Sequence, residues 1–194
     1  MFMKKLIGLC VVLILVASCN INKVSSSLYN MQGNQVCFDG LTPSLFGKDL
    51  TDGRYKIPSK NARLVVYFDS TVCQSCRLNK LYEWEPILNL EQKMNFEVMF
   101  IFSPTKSQSK LIYRSLATNK FPHVVWFDRN NEFKTNNGFI PKDTRFHTFL
   151  LNKQNEIVFV GDPLYNNKLN NLFEKVLDNL MLNEGKLNES LLES

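Results

Sequence analysis

Two cysteines separated by two residues, Cys73-Gln74-Ser75-Cys76, are the part of this 194-residue chain whose residue types and spacing name a chemistry. Thiol–disulfide exchange needs one exposed thiolate to attack and a second, more buried thiol to resolve the mixed disulfide that forms. At the start of a helix such a pair supplies both, because Cys76 then lies one turn beyond Cys73, on the same side and close enough to form a disulfide with it. The same spacing also serves as half of a zinc site. The chain contains no second CxxC, CxxH or HxxxH, so a zinc site would lack its other half. A soft-metal alternative, with copper held by Cys73, Cys76 and His147, is open by residue type.

The flanking residues predict the elements that must position this pair. Leu64-Val65-Val66-Tyr67-Phe68 is an apolar, β-branched run of the kind that makes a buried strand. Leu78, Leu81, Tyr82, Trp84, Ile87 and Leu88 then recur three and four apart, which predicts a helix ending near Met94. Cys73 thus falls at a strand-to-helix turn, where unpaired backbone N–H groups and the helix dipole favour a thiolate. In such settings a cysteine pKa falls from about 8.5 to roughly 3.5 to 7.5. Further on, Phe96 to Phe102 and Phe121 to Phe127 read as strands, with a helix over Lys106 to Asn119 between them. That alternation predicts parallel βαβ units with right-handed crossovers. His147 to Leu151 and Glu156 to Val160 predict a hairpin across the turn residues Asn152 to Asn155, and Leu164 to Met181 traces the apolar face of a closing helix. Trp84 and Trp126 read as core, and His123 as a surface or strand-edge residue.

Strand, turn, Cys73-Gln74-Ser75-Cys76 and amphipathic helix together resemble the thioredoxin superfamily. The likeness is closer to its membrane-anchored, extracytoplasmic branch, the TlpA/ResA-like lipoproteins of Bacteroidota. It runs from about Arg63 to Val176 and includes Phe146-His147-Thr148-Phe149-Leu150-Leu151 through Val158, which in family members forms the strand pair facing the disulfide. The resemblance implies an α/β, thioredoxin-like three-layer α/β/α domain with a mixed central sheet and an N-terminal extension. It implies Cys73 as nucleophile, Cys76 as resolving thiol, Gln74 and Ser75 between them, and neither metal nor organic cofactor. Its partners would be protein thiols and disulfides and a membrane or extracytoplasmic redox protein, met by a monomer.

The chain departs from the family at four places. Val72 replaces the aromatic residue before the first cysteine, and no proline separates the two cysteines. The buried carboxylate that many thioredoxins carry six residues before the first cysteine corresponds to Tyr67, and Phe146 takes the slot of the cis-proline. A cis bond before a non-proline residue costs ~2.5 to 4 kcal/mol, which predicts a trans peptide at Arg145–Phe146. Asp69 and His147 are the residues available to stand in for the carboxylate. Asp69 reads equally as a turn or helix-capping group and His147 as an ordinary strand residue, although a histidine beside a thiolate suits proton transfer near neutral pH. The departures also admit a rival from another class, a thioredoxin-fold binding or scaffold protein whose disulfide is structural.

The N-terminus reads as a targeting segment. Met1 to Lys5 is basic, Leu6 to Val16 is apolar but shorter than the roughly 20 residues a membrane span requires, and Val16-Ala17-Ser18-Cys19 resembles the bacterial lipobox. On that resemblance residues 1–18 are a lipoprotein signal peptide and Cys19 carries the lipid. Residues 19–35 would be a flexible tether, 36–182 the thioredoxin-like domain and 183–194 a loosely held tail. The expected location is the cell envelope, facing the periplasm or exterior. Removal of Lys4 and Lys5 lowers the formal charge from +5 to +3, and the remaining basic residues are dispersed, which excludes the basic stripe of a nucleic-acid binder. Export would leave Cys37, Cys73 and Cys76 in an oxidising compartment. Cys37, in an expected short strand over Gln35 to Phe38, reads as a small buried hydrophobe or as a third reactive thiol. Residues 40–58 read as irregular structure.

Overall fold

The computed structural model describes residues 24–51, 55–71, 78, 80–188 and 190. The segment ending in Cys19 that resembles a lipobox, and the segment holding Cys73, Gln74, Ser75 and Cys76, lie outside the described residues. Helical residues 24–31 form α1. Strands β1 (Leu41–Leu45), β2 (Lys48–Asp49) and β3 (Ala62–Phe68) follow, then a 3₁₀ turn over Leu81–Trp84 leading into α2 (Glu85–Glu91). The chain continues through β4 (Phe96–Phe102), α3 (Lys106–Thr118), β5 (Val125–Asp128) and α4 (Glu132–Asn136). A second 3₁₀ turn (Thr144–Phe146), β6 (Thr148–Leu151), β7 (Ile157–Val160) and α5 (Asn167–Leu182) complete it.

The seven strands make one mixed sheet in the order β2-β1-β5-β4-β3-β6-β7. β3, β4 and β5 are parallel, as the βαβ reading requires, whereas β1, β6 and β7 run antiparallel to their neighbours. All seven residues of β3 and of β4 are buried, because both faces of these strands are covered. This is why they read as unbroken apolar runs rather than as alternating ones. Leu64, Val66, Phe68, Phe100 and Phe102 face a core closed by Trp84, Ile87 of α2, Ile112 and Leu116 of α3, and Phe173, Val176, Leu177 and Leu180 of α5. Val65, Tyr67, Met99, Ile101 and Trp126 face the other core with Met31, Phe133 and Phe146. Two apolar layers on either side of one mixed sheet give the expected three-layer α/β/α architecture.

Four local expectations are corrected. Gln35 makes only an isolated bridge to Glu156, and the N-terminal strand pair lies further on, in β1 and β2. The hairpin turns on Phe46 and Gly47, both at positive φ (51° and 70°), the geometry of a two-residue type I′ loop. Pro43 hides this strand from sequence reading, since proline is rarely tolerated inside a ladder. Its carbonyl accepts from Leu50 N–H on the β2 side, so its missing N–H falls on that side too and the pairing with β5 is intact. β5 begins only at Val125 because Pro122 has no N–H to give a central strand. The helix after the cysteines is likewise interrupted: Pro86 stands at the first turn of α2, preceded by 3₁₀ geometry.

Both ends are fastened beyond what composition predicts. Met31 is fully buried, so residues 24–35 of the expected tether belong to the fold. In the expected tail, Gly185 N–H bonds Leu180 O at 2.7 Å, Lys153 N–H bonds Gly185 O at 3.1 Å, and the Asn179 side chain holds both backbone polar groups of Asn188. These polar bonds, with Leu187 packed partly buried against the core, hold residues 183–188, and hydrophobic patterning does not register the polar part.

Candidate functional site

The site is built where β3 delivers the chain toward the two cysteines. β3 ends at Phe68, and Asp69 turns the chain: its Oδ1 accepts from Thr71 N–H at 3.0 Å and from Thr71 Oγ1 at 2.6 Å. The turn-forming reading of Asp69 therefore holds, in a side chain that is almost fully buried. The N-terminus of α3 braces this turn from the side. Thr105 and Gln108 form a capping box, and Gln108 Nε2 donates to Ser70 O at 3.3 Å.

Beside β3, β6 brings up the second sequence-predicted region. Val66 pairs with Thr148, and Tyr67 N–H donates to His147 O at 2.9 Å. The Tyr67 and His147 rings meet with centroids 5.0 Å apart. His147 is thus a buried residue against the aromatic side chain of Tyr67. Its Nε2 lies 2.8 Å from the Pro141 carbonyl, and its Nδ1 is buried without a hydrogen-bond partner. Burial pushes the His147 pKa below its ordinary 6.5; Pro141 and Asp69 oppose that shift and Lys134 adds to it.

The Tyr67 hydroxyl is also buried and unpartnered. Ser103 lies close to it, but Ser103 Oγ is bonded to Asp128 Oδ2 at 3.2 Å and to Asn131 Oδ1 at 3.1 Å. Burial raises the phenol to about 12, Ser103 acts in the opposite sense, and the charges of Asp128 and Asp69 reinforce the rise. Asp128 itself is fully buried and caps α4, accepting from the N–H groups of Phe133 and Lys134.

Phe146, which the resemblance aligned with a cis-proline, is buried, and no described peptide bond is cis, as expected for Arg145–Phe146. Arg145 sits over its ring at 5.9 Å and pairs with Asp143, whose carboxyl is held below its usual range by that bond. A pocket of about 470 Å³ opens at this point. Val66, Phe68, Trp84 and Leu169 supply its apolar walls, and His147, Arg145, Asp162 and Tyr165 its polar rim. Trp84 was expected only as core, and Asp162 and Tyr165 were not singled out. Their roles depend on where α5 and the end of β7 pack, which no local signal encodes.

Cys37 is a free thiol, half-buried, whose backbone is clamped by Asn137: its N–H donates to Asn137 Oδ1 and its carbonyl accepts from Asn137 Nδ2, both at 2.8 Å. His123 packs edge-on against Phe100 and pairs with Glu91 at 2.7 Å, away from the pocket. Among the described residues no three His, Cys, Asp or Glu side chains form a metal-binding group, and no helix is long and apolar enough to cross a membrane.

This architecture is the thioredoxin-like one. A thioredoxin-like protein of Porphyromonas gingivalis, itself uncharacterized, superposes with a TM-score of 0.50 at 17% identity, over 79% of this chain and 97% of that one. Looser likenesses are a thioredoxin-like protein from Bacteroides caccae (TM-score 0.45, 15% identity, 80% of this chain and 56% of that one) and Mycobacterium bovis AhpC (0.46, 18%, 74% and 96%). No protein-family model matches the chain, and no curated protein matches it. At 17% identity the likeness to the Porphyromonas gingivalis protein shows the fold alone.

Proposed function

We propose that the chain is a thiol–disulfide oxidoreductase of the extracytoplasmic, TlpA/ResA-like type, tethered to a membrane by lipid on Cys19 and acting on protein thiols and disulfides through Cys73 and Cys76. The observation that carries this reading is the pocket of about 470 Å³ flanking the end of β3, the strand from which the sequence runs directly into the two cysteines of a thioredoxin-like fold. Apolar walls with a few polar groups at the rim suit the side chains of a protein substrate held beside a redox pair. Cys73 attacks, and Cys76 resolves the mixed disulfide. The chemistry requires no metal or organic cofactor; electrons come from or go to a partner in the membrane or the extracytoplasmic space.

A second reading, a scaffold with a structural disulfide, is favoured by Tyr67 and Phe146 standing where the family carries its carboxylate and proline. The two cysteines separate these readings because they fail differently in an exchange enzyme. Cys76→Ser should accumulate partner proteins on Cys73 as complexes released by dithiothreitol, and Cys73→Ser should trap none. A structural disulfide predicts that both substitutions destabilise alike, within the low end of ~0 to 5 kcal/mol for so short a loop, and that neither traps a partner.

A further inference from the structure

The outer face of α3 carries charge of one sign. Lys106, Lys110 and Arg114 recur every four residues, so at 3.6 residues per turn they lie within an arc of about 80°. All three are exposed, on the side away from Ile112 and Leu116, which enter the core. The helix holds no acidic residue, whereas α4 and α5 mix both signs. Among the described residues none of the three side chains makes an ion pair. Asp49, which bonds the Tyr113 hydroxyl of the same helix, is already paired with Arg129. Leu111, three positions before Arg114, stands 62% exposed beside this row.

Such a row works against the helix that carries it. Like charges four apart repel, and Lys106 lies in the first turn, at the positive end of the helix dipole. The arrangement brings no return to the fold, and residues that break a local rule in this way mark sites of function.

We propose that this face is the docking surface for an acidic region of the partner protein, an assignment that rests on the thiol–disulfide reading above. α3 begins beside the turn that leads toward the cysteines. Gln108, in its first turn, donates to Ser70 O at 3.3 Å, and Ser70 precedes Cys73 by three residues in the sequence. A partner lying along α3 is thereby brought to that end of the sheet. Complementary charge speeds encounter and fixes orientation more than it adds affinity, which suits a partner that must leave after exchange. Leu111 supplies the contact with an apolar anchor. A lipid surface fits this face less well. α1, whose Val24 follows Cys19 by five residues, packs through Val24 and Met31 on the other layer of the sheet from α3. On the lipid-anchor reading, the outer face of α3 is turned away from the membrane.

The test uses the reduced full chain with Cys10, Cys19 and Cys37 changed to Ser, and two peptides alike except that one is rich in glutamate and the other in lysine. Each peptide carries its cysteine as a mixed disulfide with thionitrobenzoate. Attack by the chain forms a chain–peptide disulfide and releases thionitrobenzoate as the coloured thiolate. At low ionic strength release should be about tenfold or more faster from the acidic peptide. In about 1 M salt, where the Debye length is about 3 Å, the two rates should converge. Lys106→Glu with Lys110→Glu and Arg114→Glu should reverse the preference, and because these side chains are exposed and unpaired the fold is retained. A wild-type ratio near one, or a ratio unchanged in the triple variant, overturns the docking face and leaves the redox reading intact. Release from neither peptide overturns the redox reading. Fluorescence anisotropy of the labelled acidic peptide then decides the docking face: binding lost in the triple variant supports it, and equal binding overturns it. Binding to phosphatidylglycerol vesicles that the triple variant loses, with equal rates for the two peptides, assigns the face to lipid and overturns the proposal.

Discussion

The only two histidines of the chain are tuned in opposite directions by their surroundings. Burial disfavours the charged form of both, but at His123 the bond and charge of Glu91 outweigh burial and raise the pKa above 6.5, whereas at His147 burial prevails and lowers it. By linkage, stability falls with pH wherever the folded state holds more protons than the unfolded one and rises where it holds fewer. His123 therefore contributes stability that is present below pH 6.5 and lost as pH rises through its folded pKa. His147 contributes stability present above pH 6.5 and lost as pH falls through its own. Glu91→Gln retains an acceptor for Val98 N–H but removes the charge beside His123, so burial should then push that pKa below 6.5. Urea unfolding of this variant should lose the stability decline expected of wild type above pH 6.5, and an NMR titration of His123 should show the shift. A decline of wild-type size in Glu91→Gln would refute the assignment.

At the level of elements, a buried ion pair ties the sheet to the segments that wrap it. Arg63 on β3 donates to Glu97 on β4 at 2.7 Å, to Asn155 Oδ1 in the β6–β7 turn at 2.6 Å and to Pro58 O at 2.7 Å, with the Phe38 ring 5.2 Å from its guanidinium. Burial raises the Glu97 pKa even though Arg63 opposes the shift, a sign of how dry the site is. Removing one member of such a pair strands the other, at a cost of about 3 to 5 kcal/mol, whereas exchanging both for apolar side chains is often close to neutral. Arg63→Met should therefore lower the stability measured in urea by about that amount, and Arg63→Met with Glu97→Met should lower it less. Equal losses would mean that the bonds to Asn155 and Pro58, not the pair, carry the energy.

For the whole molecule, the proposed lipid anchor decides where the chemistry takes place. Cys19→Ser should abolish lipid attachment and leave an unprocessed precursor, read by membrane fractionation and by the mass of the N-terminal peptide. A Cys19→Ser protein that still matures and still fractionates with membranes would refute the lipoprotein reading. Much of the fold was legible in the sequence, because β3 and β4 are covered on both faces and so are written as continuous apolar runs, and because α3 and α5 repeat their buried residues at helical spacing. The β1–β2 hairpin was not legible, since its signals, Pro43 and the Phe46-Gly47 turn, read locally as breakers and become a strand pair only against β5. His147 and Asp69 were identifiable as candidates by residue type, but their roles were not. One backbone carbonyl, that of Pro141, selects the His147 tautomer, and one threonine engages Asp69. The sequence alone determined the periodicities of burial and supplied the cysteine spacing on which the proposed chemistry rests, which are properties of residue type and spacing. Only the tertiary structure decided which polar atom is left without a partner beside the pocket, because partnership depends on segments that folding brings together from distant parts of the chain.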